Sequence, residues 1–237
     1  MSELGEGRPV ASGSIDGSGY GRLILVRHGE SEGNEARQFS VSPDIGLTER
    51  GAEQARVAGR RIAAEFRPGA IVASSFRRAR LTAELIAAEV GYVGPVEVEP
   101  DLRERSIGEL AGAPYDAMHR HPTYRHDRFW EWRPEGGESL EDVAQRAGLV
   151  LERIALAHPA RDVVVVSHGG TMLALCAHVE RGWLRPRVAR NCEVVVVRHA
   201  PGRGFELLAD ATRAATVPAA SRAADADADA DADDATG

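Results

Sequence analysis

Short apolar runs alternate along the chain with longer segments in which small or apolar residues recur every three or four positions. The clearest run is residues 162–166, whose consecutive valines are typical of a strand that is covered on both faces of a sheet. Further strands are predicted at residues 22–26, 70–73, 96–98 and 194–197. Helical spacing predicts helices over residues 48–66, 78–90 and 139–154, and a shorter helix after Gly169 and Gly170. This alternation predicts an α/β fold, a three-layer α/β/α sandwich around a mostly parallel central sheet.

The last of the three long predicted helices has a recognisable capping pattern at its start. Ser139 is a preferred N-cap residue, and Asp142 follows three positions later, where its side chain can bond back to the cap. Apolar residues then recur on one side of the helix as far as residue 154. The pattern therefore predicts a helix that starts at Ser139.

Both ends of the chain differ in composition from its middle. Residues 1–20 are rich in glycine and serine, and residues 219–237 are dominated by alternating alanine and aspartate. Such segments bury too little apolar surface to fold, so we expect disordered extensions on either side of one folded domain at residues 21–218. The acidic tail is interpreted as a solvated segment without a catalytic role; a docking segment or an electrostatic brake is the alternative.

The negative charge of the chain is concentrated in that tail. The formal net charge is −7, and six aspartates, with no lysine or arginine, lie within residues 223–237. Without those six charges the remainder carries a formal charge of −1. A nearly neutral body without a broad basic stripe is not typical of nucleic-acid binders, so we expect no nucleic-acid partner.

The sequence also predicts where the protein resides. Residues 1–20 lack the basic start and apolar run of a secretion signal, and no stretch approaches the roughly eighteen apolar residues of a membrane span. Cys176 and Cys192 have neither the spacing of a metal or redox site nor the density of a disulfide scaffold, and their apolar surroundings predict buried thiols. We therefore expect a cytoplasmic protein with no membrane partner.

Two predicted strands end in a histidine followed by glycine. His28 follows the first strand and His168 follows the valine-rich strand. Ligands of open α/β sheets bind at the carboxyl ends of the strands, so both imidazoles enter one crevice if these strands are neighbours. Glycine behind each histidine leaves room for a ligand, and Gly170 at a helix start offers a backbone N–H group to an anion. Either histidine alone would more often be structural, but the pair favours a functional site.

Five blocks of sequence, in order, resemble those of one protein family. Residues 25–34 read LVRHGESEGN, which resembles the signature of the histidine phosphatase superfamily, the phosphoglycerate-mutase-like proteins. The other blocks are LTERG with a following Gln-Ala at residues 47–55, ASSFRRARLTAE at residues 73–84, the stretch at residues 102–112, and VVSHGG at residues 165–170. The resemblance covers residues 22–197 and implies a phosphoglycerate-mutase-like fold.

The resemblance, transferred position by position, implies roles for seven residues. His28 matches the nucleophile, Glu104 matches the proton donor, and His168 matches the second histidine of the phosphate pocket. The positions that match substrate-binding residues of the family are Arg27, Asn34, Arg78 and Gly169.

Elementary chemistry is consistent with these roles. Phosphoryl transfer requires an in-line nucleophile and positive charge around three equatorial oxygens, and the planar guanidinium groups of Arg27 and Arg78 can supply that charge. The same charges oppose protonation of His28 and keep its imidazole nucleophilic. We therefore expect neither a metal nor a cofactor.

Two of these assignments have competing interpretations. Glu104 stands between Arg103 and Arg105, so it could form a simple surface ion pair instead of serving as a proton donor. Arg78 has two arginines close by in sequence, Arg77 and Arg80, and any of the three could be a solvated charge on a helix. Only the match to the Arg-Ala-x-x-Thr-Ala pattern of the family selects Arg78.

The insertion at residues 115–134 carries basic, aromatic and histidine side chains. Its histidines at positions 119, 121 and 126 fit no common metal-ligand spacing, and Pro122 interrupts a regular helix between them. Two interpretations stay open. The insertion either contacts the non-phosphate part of an anionic substrate at the mouth of the site, or forms a packed lid with solvated arginines.

Departures from the family pattern favour one reaction. The Thr/Ser-Gly-Trp segment of the cofactor-dependent mutases is replaced by FSVSPD at residues 39–44, and the insertion lacks their arrangement of a lysine with paired arginines. We therefore expect a metal-independent phosphomonoesterase that acts on a small phosphorylated metabolite through a phosphohistidine intermediate. The alternatives are a phosphoglycerate-type mutase and a protein-directed phosphatase or regulatory binding protein. A homodimer is left open.

Overall fold

A computed structural model describes residues 20–183, 187–200 and 202–208. The predicted acidic tail and residues 1–19 of the predicted N-terminal extension lie outside the described residues. The same is true of residues 209–218, which include the predicted end of the folded domain. The described residues form one central sheet with helices on both faces.

The sheet has six strands in the order β3-β2-β4-β1-β5-β6. These are β1 (Gly21–Arg27), β2 (Ala70–Ser74), β3 (Glu97–Glu99), β4 (Asp162–Ser167), β5 (Val194–Ala200) and β6 (Gly204–Leu207). Strands β3, β2, β4 and β1 run parallel, whereas β5 pairs antiparallel with both β1 and β6. The prediction of a mostly parallel sheet is confirmed.

Four longer helices cover the sheet and two short helices lie in its connections. They are α1 (Glu32–Glu35), α2 (Glu49–Glu65), α3 (Arg77–Val90), α4 (Asp116–His119), α5 (Leu140–Ala157) and α6 (Gly169–Glu180). Single 3-10 turns occur at Pro100–Leu102, Gly108–Leu110 and His126–Arg128. Helices α2 and α3 pack on one face of the sheet and α5 and α6 on the other, so the three-layer α/β/α sandwich is confirmed.

The valines of β4 show why this order of layers forms. Val163 and Val165 belong to the core beneath α5 and α6, whereas Val164 and Val166 belong to the core beneath α2 and α3. All four are completely buried. Because successive side chains of a strand point to opposite faces, a continuous apolar run is stable only where both faces are covered.

The start of α5 is stabilised by the side chains that the sequence pattern predicted. The Ser139 hydroxyl accepts a hydrogen bond from the Asp142 N–H at 3.1 Å, and the Asp142 carboxylate accepts one from the Ser139 N–H at 2.7 Å. This reciprocal capping confirms the predicted start of α5. The helix continues to Ala157, three residues beyond the predicted end.

Strand β6 was not predicted from the sequence. It has four residues at the edge of the sheet, its side chains alternate between exposed and half-buried, and it pairs on one side only, with β5. So short a strand carries too little periodicity to be recognised from its own residues.

The two cysteines are free thiols, but they are half-buried and not buried as predicted. Partial removal of the thiol groups from water raises the pKa of Cys176 to about 11 and that of Cys192 to about 12. Thiols with such values are poor nucleophiles at neutral pH, because little thiolate is present. Among the helices described, none is long and apolar enough to cross a membrane.

Two glycines bring the loop after β1 against the first turn of α2. A Cβ atom on Gly51 would lie 2.0 Å from the Glu30 carbonyl oxygen, and one on Gly29 would lie 2.3 Å from the Gly51 carbonyl oxygen. The two backbones are therefore in direct contact beside His28. The contact is reinforced by Thr48, the N-cap residue of α2, whose hydroxyl donates to the Glu30 carboxylate at 2.7 Å.

We predict that Gly51→Ala destabilises the fold by about 2–3 kcal/mol, because backbone atoms must move to admit the methyl group. Chemical denaturation measures this change. Gly46→Ala is the matched control, since a Cβ there would have its nearest neighbour at 3.8 Å. Equal stability of the two variants would contradict the proposed backbone contact.

Candidate active site

The pairing of β1 with β4 brings the two predicted histidines together. The strands are parallel neighbours whose register ends at Arg27 opposite Ser167, one residue before each histidine. The rings of His28 and His168 lie edge to face with their centroids 5.0 Å apart. The prediction that the two imidazoles come together at the carboxyl ends of neighbouring strands is thereby confirmed.

The ring of His28 is held with one nitrogen available for chemistry. Its Nδ1 atom lies 2.7 Å from the carbonyl oxygen of Gly29, and because a carbonyl only accepts, Nδ1 carries the proton. Nε2 therefore has the lone pair, which accepts a hydrogen bond from Arg78 Nε at 3.1 Å. Only 2% of His28 is exposed.

The surroundings of His28 favour its neutral form. Burial first, and then the positive charges of Arg78 and Arg27, hold its pKa well below the ordinary value. The sequence predicted this effect of the two arginines, but the larger contribution of burial depends on packing. A neutral imidazole whose Nε2 atom carries the lone pair has the nucleophilic form.

Arg27 and Arg78 each have a buried hydrogen-bond donor that is available to a ligand. Among the described residues, Arg27 Nε and Arg78 Nη1 are buried N–H groups with no hydrogen-bond partner. Arg27 is positioned through Nη1, which donates to the Ala189 carbonyl oxygen at 2.7 Å. Unpaired buried donors on cationic groups are costly, so an anion placed between these guanidinium groups would be bound strongly.

The competition among the three neighbouring arginines is resolved by burial. Arg78 is 2% exposed and reaches His28, whereas Arg77 and Arg80 lie on the exposed side of α3. The Arg77 side chain extends toward the Asp44 carbonyl oxygen at 3.4 Å. Only Arg78, as the family pattern implied, is part of the pocket.

Glu104 is held by backbone groups and not by its neighbouring arginines. Its carboxyl oxygens accept hydrogen bonds from the N–H groups of Arg105 at 2.8 Å, Gly170 at 3.3 Å and Thr171 at 3.2 Å. The latter two lie in the first turn of α6. The Gly170 N–H group, which was expected to face an anionic ligand, instead donates to the Glu104 side chain.

The neighbouring arginines have other partners, which removes the simple ion-pair interpretation of Glu104. Arg103 pairs with Asp101 and Glu138, and Arg105 donates to the carbonyl oxygens of Glu138 and Trp132.

The remaining predicted residues lie at the edge of the same pocket. Gly169 lies beside the Arg27 guanidinium group, since a Cβ atom on it would be 3.4 Å from the guanidinium carbon and 3.0 Å from Val188 Cγ1. Asn34 Nδ2 donates to the Tyr115 hydroxyl at 3.0 Å, and Asn34 Oδ1 accepts from Asn191 at 3.2 Å. The amide of Asn34 thus connects the insertion to the nucleophile loop.

Several supporting residues were not identified from the sequence. Asn191 Nδ2 donates to the His28 carbonyl oxygen at 3.0 Å, but no motif precedes β5 that could have indicated this. Thr82 accepts from the Gly29 N–H at 3.0 Å and donates to the Arg78 carbonyl oxygen at 2.8 Å. The matched block at residues 73–84 contains Thr82, so that residue could have been found.

The four arginines of the insertion at residues 115–134 all have acidic partners within the chain. Each of its arginines forms an ion pair with a nearby carboxylate: Arg120 with Asp116, Arg125 with Asp127, Arg128 with Glu131 and Arg133 with Asp142. The ring of Tyr124 meets those of His119, His126 and Trp132 edge to face. These contacts favour the interpretation of a packed lid with solvated arginines, each of which also pairs with a carboxylate at the surface.

The rings of His119 and His126 stack on each other, and the ring of His121 packs against that of Trp132. Within the described part of the chain, no group of three or more His, Cys, Asp or Glu side chains is arranged to hold a metal ion.

The chain belongs to the histidine phosphatase superfamily (branch 1), whose model matches residues 23–210. It is 35% identical over 158 residues to the metal-independent phosphoserine phosphatase of Arabidopsis thaliana, over 65% of this chain and 66% of that protein. It is 35% identical over 193 residues to the probable phosphoglycerate mutase of Photorhabdus laumondii, over 76% of this chain and 86% of that protein. The family that the sequence motifs implied is confirmed.

A solved structure agrees with this placement. Mycobacterial glucosyl-3-phosphoglycerate phosphatase, in complex with VO3, matches with a TM-score of 0.66 and 31% identity over 78% of this chain and 96% of that chain. The phosphoglycerate-mutase-like fold is therefore confirmed, and phosphatases and mutases both occur among the relatives.

We predict that the fold loses stability in mild acid, because His28 and His168 are buried in their neutral forms. The pKa of His28 and that of His168 are lowered in the folded chain, so below about pH 6.5 the unfolded chain binds protons that the folded chain does not. Their contribution to stability is complete above about pH 6.5 and is lost as the pH falls, by up to about 1.4 kcal/mol per pH unit for each histidine. Denaturant titrations at about pH 7.5 and about pH 5.5 measure this slope. His28→Asn should reduce it, and an unchanged slope would contradict the assignment.

Proposed function

We propose that this protein is a metal-independent phosphomonoesterase that transfers the phosphoryl group of a small phosphorylated metabolite to His28 and then to water. One observation carries the proposal: the neutral, buried Nε2 atom of His28 faces Arg78 and lies beside guanidinium groups with unpaired N–H donors. That arrangement combines a nucleophile with a binding site for the oxygens around phosphorus.

In the first step, the phosphoryl oxygens accept hydrogen bonds from Arg27 Nε and Arg78 Nη1. Arg78 Nε exchanges its bond to His28 for one to the phosphoryl group, which releases the Nε2 lone pair. The bond from Nε2 to phosphorus forms as the phosphorus–oxygen ester bond breaks, and Glu104 gives a proton to the departing alkoxide. The hydrogen bond from Nδ1 to Gly29 stabilises the positive charge that develops on the ring.

In the second step, water attacks the phosphorus atom of phosphohistidine. Glu104, now a carboxylate, accepts the proton of that water, and the phosphorus–nitrogen bond breaks. The backbone donors that hold Glu104 keep its carboxylate on one side of the pocket through both steps. Inorganic phosphate leaves, and His28 and Glu104 return to their starting protonation states.

Hydrolysis is favoured over mutase chemistry by the insertion at residues 115–134. It lacks the mutases' arrangement of a lysine with paired arginines, and each of its four arginines has a carboxylate partner in the chain. We propose that the substrate is a small phosphate monoester.

The composition of the sequence further supports a cytoplasmic location without nucleic-acid or membrane partners. Self-association is left to experiment.

The decisive experiment follows phosphate and phosphoenzyme together. With wild-type protein we expect release of inorganic phosphate, unaffected by EDTA, and an acid-labile phosphoenzyme that rapid quench traps. His28→Asn should abolish both, because no other nucleophile has the in-line position. His158→Asn is the matched control and should retain both, since His158 caps the end of α5 and precedes β4, whereas His28 and His168 follow the carboxyl ends of their strands.

The outcomes separate the candidate functions. An isomerised phosphorylated product without phosphate release would show a mutase. Recovery of EDTA-inhibited activity by a divalent ion, or turnover by His28→Asn, would overturn the proposed chemistry.

Gly170→Ala tests the position of Glu104. A Cβ atom at this site would lie 2.9 Å from Glu104 Oε1, the movable end of a side chain, so stability should change little while the carboxyl group is displaced. Acid–base assistance is worth ~10²–10⁴-fold, so phosphoenzyme formation from an alkyl phosphate should slow by at least tenfold. An aryl phosphate, whose leaving group needs no proton, should be affected much less. Equal losses with both substrates would show instead that the methyl group obstructs the phosphate pocket.

A further inference from the structure

His168 has one buried nitrogen with a partner and one without. The residue is completely buried, and its ring lies edge to face with His28 at 5.0 Å and with Phe76 at 5.1 Å between centroids. Nε2 lies 2.8 Å from the Ser74 hydroxyl, whereas Nδ1 has no hydrogen-bond partner among the described residues.

The surroundings of this ring keep it neutral. Burial first, and then His28, Arg78 and Arg27, hold the pKa of His168 well below its ordinary value. A neutral imidazole carries a single proton, so only one of its two nitrogens can donate a hydrogen bond. Which nitrogen donates therefore decides what the ring can offer to a ligand.

Hydrogen-bond accounting at Ser74 distinguishes the two tautomers. The Ser74 hydroxyl also accepts a hydrogen bond from the Phe76 N–H at 3.3 Å. If His168 carried its proton on Nε2 and donated to Ser74, the hydroxyl proton would have no acceptor among the described residues and the Nδ1 lone pair would also be unmet. If Ser74 donates to Nε2, both hydroxyl functions are used and Nδ1–H alone is unpaired. The second arrangement leaves fewer buried polar groups unsatisfied.

The Nδ1 atom of His168 is one of several buried polar atoms near His28 that have no hydrogen-bond partner among the described residues. Buried side-chain atoms without partners occur at four places in the described residues, and three of them are Arg27 Nε, Arg78 Nη1 and His168 Nδ1. All three residues interact electrostatically within one pocket. A transferring phosphoryl group has three equatorial oxygens, each of which accepts hydrogen bonds, so the number and type of donors match it.

We propose that Ser74 is a positioning residue that fixes His168 in the Nδ1–H tautomer and thereby directs its only proton to a phosphoryl oxygen. Ser74 acts through His168 and does not itself touch the phosphoryl group. The part that concerns the phosphoryl oxygen rests on the proposed function, whereas the tautomer can be tested without a substrate.

The test is nitrogen NMR of protein labelled with 15N-histidine. In the wild-type protein we expect a protonated, pyrrole-type Nδ1 and an unprotonated, pyridine-type Nε2 for His168, with its signals assigned by their loss in His168→Asn. Ser74→Ala should shift the proton toward Nε2, which is the tautomer that imidazole prefers in the absence of a partner. It should also slow phosphoenzyme formation roughly ten- to hundredfold, as expected for loss of one hydrogen bond to a charged oxygen.

Ser167→Ala is the matched control. Ser167 is also buried at a strand end, and its hydroxyl donates to the Leu102 carbonyl oxygen at 2.8 Å, so the variant loses a similar hydrogen bond that does not involve His168. We expect comparable loss of stability and the wild-type tautomer. Ser74→Cys, close in volume and a weaker donor, provides a second variant if Ser74→Ala does not fold.

The proposal is overturned if wild-type His168 carries its proton on Nε2, if it is an imidazolium ion at neutral pH, or if removal of the Ser74 hydroxyl leaves the tautomer unchanged. A changed tautomer in a protein whose wild type forms no phosphoenzyme would instead refute the proposed function and leave the role of Ser74 standing.

Discussion

The parallel pairing of β1 with β4 is the constraint on which the site depends. Their register runs without interruption from Arg22 opposite Asp162 to Arg27 opposite Ser167, and an ion pair between Arg22 and Asp162 at 2.7 Å closes its far end. Because each residue of a strand advances by about 3.3 Å, a shift of one residue would separate Arg22 from Asp162 and move His168 along the sheet relative to His28. The register of β1 with β4 therefore fixes the separation of the two histidines.

The pocket at that edge is built at a cost to stability. Neutral imidazoles and guanidinium N–H groups without a protein partner are buried there, and buried polar groups that form no hydrogen bond are costly. In the proposed reaction, the phosphoryl oxygens supply the missing acceptors. The same features that favour an anion also make the fold sensitive to acid, because protonation of His28 or His168 must place a further charge beside the arginines.

A network of hydrogen bonds and ion pairs around Arg146 positions the loop that carries Glu104. Arg146 of α5 donates to the carbonyl oxygens of Asp101 and Arg103 and forms an ion pair with Glu138 at 2.8 Å. The Arg105 guanidinium group also lies over the Trp132 ring, which joins the loop to the lid. Because Glu104 is thus fixed by α5, α6 and the lid, its position relative to His28 depends on helices on one face of the sheet and strands in its middle.

The sequence by itself determined the layers, most of the elements and the identity of the central residues. Periodicity indicated the buried strand at Val163–166 and the cap at Ser139, because local pattern and local hydrogen bonds decide these features. The motifs selected Arg78 over its neighbours. Only the tertiary structure decided three hydrogen bonds of the site. Asn191 donates to the His28 carbonyl oxygen, and the Ser74 hydroxyl lies within hydrogen-bond distance of His168. The first turn of α6 donates to the Glu104 side chain. These contacts join residues far apart in the chain, so no local spacing encodes them. They follow instead from the order of strands in the sheet, which brings separate segments to one edge.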